Sequence, residues 1–141
     1  MDITFRELTA LDLQEGFLET LAGLAQVDLT PDEAREVFRA RLRLGIHTYV
    51  AVAQDRIVGT LTLLAEQKFI HHGGLCGHIE DVSVHPEFKQ HGIGSALVRH
   101  ALEEARRLGC YKVILDCFEN LVPFYQRLGF RSYNVGMRID L

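Results

Sequence analysis

The stretch Lys89-Gln-His-Gly-Ile-Gly-Ser95 constrains the fold most, because it sets two glycines, Gly92 and Gly94, at the mouth of a helix. Ahead of it, HIEDVSVH has the β-branched, apolar character of a strand. Behind it, Ile93, Leu97, Ala101 and Ala105 recur every four residues, and Gly109 supplies a stop. Glycine weakens helices, so two at an entrance need a reason. One is a tight turn that requires glycine for its dihedral angles. The other is an anion site: the first N–H groups of the helix, at Ile93, Gly94 and Ser95, lack internal partners and sit at the positive end of the macrodipole. Without a Cβ at Gly92 and Gly94 a phosphate can approach the main chain, and Lys89 and His91 add charge from the side. The local pattern leaves both readings open.

Around this entrance the chain alternates strands and helices. ITFREL reads as a first strand, and Leu13, Phe17, Leu21 and Leu24 follow at helical spacing. TPDEAREVFRARLRLG contains a complete helix start, with Thr30 as N-cap, Pro31 at the first position and Glu33 at the capping-box position; Gly45 ends it. HTYVAVA and RIVGTLTLLAEQKFI are strands joined by the polar turn AQDR, and HHGGLCG leads into HIEDVSVH. After the long helix come the buried-type strand YKVILDC and a short helix, LVPFYQRLGF, closed by Gly129. Finally Tyr133, Val135, Met137, Ile139 and Leu141 alternate with Asn134, Gly136, Arg138 and Asp140, which predicts a last strand. The expected architecture is an α/β domain spanning residues 1–141 with a mixed sheet flanked by helices.

Bulk properties narrow the function. In 141 residues, 24% charged and 48% apolar, there is enough chain for one real core. A formal charge of −4 is wrong for a dedicated nucleic-acid binder. No apolar run is long enough for a membrane span, and MDITFRELTALD has acids where a signal peptide has bases, so a cytoplasmic protein is expected. Cys76, Cys110 and Cys117 form no CxxC pair and are expected as reduced thiols. His71, His72, Cys76 and His78 are close in sequence but lack zinc spacing, so no metal site is expected.

Two nucleotide sites are excluded by motif: there is neither G-x-x-x-x-G-K-[ST] nor an early G-x-G-x-x-G. What remains, V-S-V-H-P-E-F-K-Q-H-G-I-G-S-A-L, resembles the pyrophosphate-binding motif of the GNAT superfamily of acetyl-CoA-dependent N-acetyltransferases, usually Q/R-x-x-G-x-G/A, with Lys89 in place of Gln or Arg. Phe124-Tyr-Gln-Arg-Leu-Gly-Phe130 resembles that family's later F-Y-x-x-x-G-F motif. GHIEDVSV, GCYKVILDC, EQKFIH and ELTALDLQEGFLETL are similar to segments of its glucosamine-6-phosphate N-acetyltransferase branch, almost end to end. The resemblance implies the GNAT fold, a mostly antiparallel twisted sheet, with the coenzyme A diphosphate at the glycine entrance.

Acetyl transfer to an amine requires removal of a proton, donors for the developing oxyanion and stabilisation of the departing thiolate. In HIEDVSV, Ile79 has one strand phase and Val82 and Val84 the other, so a bulge near Glu80–Val82 would put all three in the core; a strand buried on both faces would need none. A bulge would free main-chain N–H groups around Val82, Ser83 and Val84 for the thioester carbonyl. It would also turn the adjacent Glu80 and Asp81 toward one cleft. The resemblance implies that these acids contact the amino sugar, with Glu80 the candidate base and Asp116 its rival. It makes Tyr125 the candidate acid beside the sulfur, and places Lys68 and His71 on a substrate segment. Read alone, the acids are equally hydrogen-bonded strand-end groups and the tyrosine a core residue.

Three positions depart from the branch. Leu121 stands where an asparagine for pantetheine is usual, with Asn120 one residue earlier; Ala25 replaces a threonine; Asp140 replaces an arginine directed at the sugar phosphate. Arg138, two residues earlier on the same face and displaced by roughly 7 Å, is the candidate replacement. The leading expectation is N-acetylation of glucosamine 6-phosphate from acetyl-CoA. Alternatives are another small amine or unphosphorylated amino sugar, and a non-catalytic acyl-CoA-binding module. The resemblance also implies a homodimer through the C-terminal strand.

Overall fold

In the computed structural model all residues but Glu15 are described. Five strands form one sheet in the order β1-β2-β3-β4-β5: β1 (Ile3–Glu7), β2 (Ile46–Ala53), β3 (Arg56–Gln67), β4 (Leu75–Val84) and β5 (Cys110–Ile114). The first four run antiparallel, and only β5 lies parallel to its neighbour β4. The mixed, mostly antiparallel sheet is therefore as expected. Gln54 and Asp55 turn β2 into β3 with φ of 51° and 58°, the left-handed pair that matches the twist of a two-residue hairpin.

Helices cover both faces. On one, α4 (Ile93–Leu108) buries Ile93, Leu97, Val98, Ala101 and Ala105 against Ala51, Val58, Leu61, Leu63 and Ile79. Gly59 permits this approach, since a Cβ there would sit 2.8 Å from Leu97 Cδ1. On the other face, α1 (Phe17–Leu21) and α2 (Pro31–Arg43) cover Val50 and Ile57 with Phe17, Ala34 and, at the edge, Phe38. The capping box of α2 forms as expected: Glu33 N donates to Thr30 Oγ1 at 3.2 Å and Thr30 N to the Glu33 carboxylate at 2.8 Å. The helix expected from Leu11 to Leu24 is divided into a 3-10 turn, Ala10–Gln14, and the short α1. Asp12 anchors that turn, accepting from both Arg6 terminal nitrogens at 2.7 and 2.8 Å and from Thr9 N at 2.7 Å. A single distorted turn, α3 (Ile70–Gly73), joins β3 to β4, and α5 (Val122–Arg127) follows β5.

One expected element is missing. Residues 131–141 form no strand, and Val135, Met137, Ile139 and Leu141 are 83% exposed or more. The alternation is real, but a strand exists only where a sheet edge receives it, and within this chain none does. Among the described residues no helix is long and apolar enough to cross a membrane.

Candidate active site

The site begins with an extra residue in β4. Across β3 and β4, Thr60 pairs with Ser83 and Thr62 with Glu80, so two steps on β3 match three on β4. Asp81 sits in this bulge with φ 50°, a left-handed conformation that aspartate tolerates better than bulky residues. The phase change read from the sequence follows from it: Ile79, Val82 and Val84 all pack with the α4 core. Ser83 instead turns toward α1 and donates to Thr20 O at 2.7 Å. Glu80 faces the same way as Thr62, its direct partner, on the α1–α2 side.

The second feature is a splayed edge. The parallel ladder from β4 to β5 ends at His78–Ile114, leaving β4 from Ile79 to Val84 without a strand partner on that side. The gap opens into a cleft of about 530 Å³, bordered by Glu80, Asp81, Val82, Asp116, Tyr125 and Arg138 among others. Three carboxylates thus share one cavity. Burial raises the Glu80 pKa above its ordinary value, and the charges of Asp81 and Asp116 raise it further, against a smaller opposing pull from His78. A carboxyl whose pKa is raised holds an accepted proton more tightly than a free glutamate does. Tyr125 is held in the cleft wall by edge-on contacts with Phe124 and Phe130, and burial, then Cys117, raises its pKa, so the phenol keeps its proton.

The third feature is the glycine entrance. Gly92 is the N-cap of α4 with φ 73° and no side chain caps the helix. The first internal bond there is Ala96 N to Gly92 O, so the N–H groups of Ile93, Gly94 and Ser95 point out unpaired by the helix. The two glycines differ in kind. Gly92 needs its freedom for a positive φ, whereas a Cβ on Gly94 would meet only Phe124 Cζ at 3.6 Å and Val84 Cγ2 at 3.7 Å, ordinary contacts. Lys89 and His91 are exposed beside this entrance.

Other expected residues lie elsewhere. Lys68 is paired with Glu66 at 2.9 Å, and Glu66 also takes His78 Nε2 at 2.8 Å. His71 stacks on Tyr111 with ring centroids 4.2 Å apart. Neither lines the cleft, and exposed Asn120 gives way there to its neighbour Leu121. Arg138 borders the cleft but is spent on Asp140, 2.7 Å away. Sequence reading missed Arg41. Its side chain donates to Thr62 Oγ1 at 2.7 Å and Thr48 Oγ1 at 3.1 Å; burial lowers its pKa, and the Asp81 charge pulls it back up. The signal was present: Ala34, Phe38 and Arg41 fall at i, i+4 and i+7, a cation on the apolar stripe of α2.

Two predictions follow from these features. Gly94→Ala folds as stably as the parent, while Gly92→Ala costs about 1 kcal/mol or more in urea unfolding. Glu80 is protonated more readily folded than unfolded, so its ionisation opposes folding above the ordinary glutamate range, and that penalty fades as pH falls below it. Glu80→Gln therefore raises the melting temperature at pH 8 and gains nothing at pH 3.5.

Residues 12–130 match the Acetyltransferase (GNAT) family. The chain is 42% identical to glucosamine 6-phosphate N-acetyltransferase of Trypanosoma brucei brucei over 100% of its length and 97% of the relative's. It is 38% identical to probable glucosamine 6-phosphate N-acetyltransferase 2 of Oryza sativa subsp. japonica, over 97% and 87%. A crystal structure of a Trypanosoma brucei acetyltransferase superposes with TM-score 0.94 at 42% identity, covering 99% of this chain and 100% of that one. The glucosamine-6-phosphate N-acetyltransferase structure from Arabidopsis thaliana also gives 0.94, at 28% identity and 99% coverage of both. With the bulged strand, the splayed edge and the uncapped glycine entrance in place, the chain belongs to the GNAT acetyltransferases, in the branch of the glucosamine 6-phosphate N-acetyltransferases.

Proposed function

We propose that this enzyme moves the acetyl group of acetyl-CoA directly onto the amine of glucosamine 6-phosphate. The observation that carries the reading is the position of Glu80, on a bulge beside an unpaired strand edge and in one cleft with Asp81 and Asp116, where partial desolvation and those two charges raise its pKa. The relatives that share the chain end to end bear that substrate in their names.

Acetyl-CoA supplies the acetyl group as a thioester. The N–H groups of Ile93, Gly94 and Ser95 grip its diphosphate, with Lys89 and His91 alongside, and the free edge from Val82 to Val84 offers donors to the thioester carbonyl. Glu80 takes a proton from the substrate ammonium, directly or through water, and passes it to solvent. The freed nitrogen lone pair forms the N–C bond, and the attached nitrogen then loses its second proton to Glu80 as the tetrahedral adduct collapses to the amide. As the C–S bond breaks, the Tyr125 phenol gives its proton to the departing thiolate and is reprotonated from solvent. Asp81 and Asp116 receive the ammonium and the sugar hydroxyls, and the three acids together favour a cationic acceptor.

Arg138 is the candidate for the sugar phosphate, and it would have to exchange Asp140 for that group. This pairing is the specific observation that favours a second reading, an unphosphorylated amino sugar as acceptor. A thiol-release assay with acetyl-CoA separates the two. Glucosamine 6-phosphate is expected to exceed glucosamine in kcat/KM, and Arg138→Ala to raise the KM of the phosphorylated sugar alone by about tenfold. Equal, unchanged constants for both sugars contradict the phosphate assignment.

The exposed apolar alternation from Tyr133 to Leu141 supports a homodimer in which this segment joins a second copy of the chain. The expected sedimentation result is a dimer for the whole chain and a monomer once residues 133–141 are removed. A whole chain that sediments as a monomer at tens of micromolar contradicts it.

A further inference from the structure

A half-buried cation behind the bulge has no role in the steps above. Arg41 lies on the core-facing stripe of α2 and, among the described residues, makes no ion pair. Its bonds go to Thr48 and Thr62, which face each other across β2 and β3. Thr62 is in turn the partner of Glu80 across β3 and β4, so the guanidinium sits at the level of the bulge. Arg41 and Asp81 both line a small cavity of about 100 Å³ under α1 and α2, and Asp81 also borders the substrate cleft. Asp81 thus borders both spaces, the cleft it shares with Glu80 and Asp116 and the cavity it shares with Arg41. Removing an arginine from water to bond two threonines is costly, and a neutral donor would brace the strands as well. The positive charge itself needs a use.

We propose that Arg41 is a positioning residue for substrate recognition: its charge, fixed by Thr48 and Thr62, draws the Asp81 carboxylate to the α2 side of the bulge and orients it for the amino-sugar hydroxyls, leaving proton acceptance to Glu80. This inference rests on the acetyltransferase reading and names a specificity determinant of the same site. Left-handed backbone at Asp81 sends its side chain off the regular strand course, so nothing in the ladder fixes its direction. A stationary opposite charge does, at a distance too long for a direct ion pair but short enough for the field to act.

The test is a double-mutant cycle on the full chain, with Arg41→Gln (donor kept, charge removed), Arg41→Lys (charge kept), Asp81→Asn and Arg41→Gln with Asp81→Asn. Steady-state kinetics separate KM for the amine, KM for acetyl-CoA and kcat. Arg41→Gln is expected to raise the amine KM on the order of tenfold, with acetyl-CoA KM and kcat within about twofold, and Arg41→Lys to stay within about threefold of wild type. Added to Asp81→Asn, Arg41→Gln should change nothing further. Multiplication of the two effects, a parallel rise in acetyl-CoA KM, or a lysine variant as impaired as the glutamine one would each overturn the proposal. If Arg41→Gln fails to fold by circular dichroism, Arg41→Lys decides alone, by the same threefold and tenfold limits. If the wild type ignores glucosamine 6-phosphate, the functional reading falls, and the cycle judges Arg41 on the amine that is turned over.

Discussion

The single extra residue in β4 at Asp81 is the constraint on which the site depends. Without it, Glu80 and Asp81 would point to opposite faces of the sheet, as neighbours on a regular strand do. With it, both acids serve the α1–α2 side while Ile79, Val82 and Val84 keep their places against α4. A left-handed aspartate costs on the order of 1–3 kcal/mol, so surrounding contacts must impose it. Those contacts are visible: the ladder to β3 resumes on either side of it, and Ser83, two residues on, donates to Thr20 O on α1. Thr20 in turn donates to Ile57 O at 3.1 Å, so α1, β3 and β4 are joined around the bulge.

The same strand also borders the proposed cofactor side. Its ladder to β5 ends at His78, and from there the main chain is free to bond a ligand instead of a neighbour. The chain then turns through Gly92 into α4, whose exposed N–H groups are the natural end point for a diphosphate. Bulge, free edge and helix start are consecutive in sequence, from Ile79 to Ser95, so one segment fixes both ends of the proposed reaction relative to each other. α5 adds Tyr125 from beyond β5, where its aromatic neighbours hold the ring.

Much of this was legible in the residues. The boundaries of α4 and α2 could be read from their caps and glycine stops because those are local rules satisfied by a few neighbouring atoms. Even the bulge was foreshadowed, since Ile79 and Val84 cannot share a face of a regular strand. The parts that escaped depend on distant partners. Arg41 means little until Thr48 and Thr62 are brought beneath it, and Asp12 is an unremarked acid until Arg6 crosses it. The last strand failed for the same reason in reverse: its pattern is correct, but no edge of this chain's sheet pairs with it, although β4 keeps a free one. Lys68 is different: its partner Glu66 is only two residues away, and the distant contact is the one Glu66 makes across the ladder with His78.

The central claim is geometric: one segment of chain aims a thioester held at α4 toward the carboxyl of Glu80. A crystal structure with coenzyme A and N-acetylglucosamine 6-phosphate bound together tests it most directly. The account predicts the diphosphate on the N–H groups of Ile93 to Ser95, the sulfur beside the Tyr125 hydroxyl, and the amide nitrogen within about 3 Å of Glu80 or one water away. A diphosphate seated away from α4, or an amide nitrogen facing Asp116 with Glu80 turned from it, would contradict it.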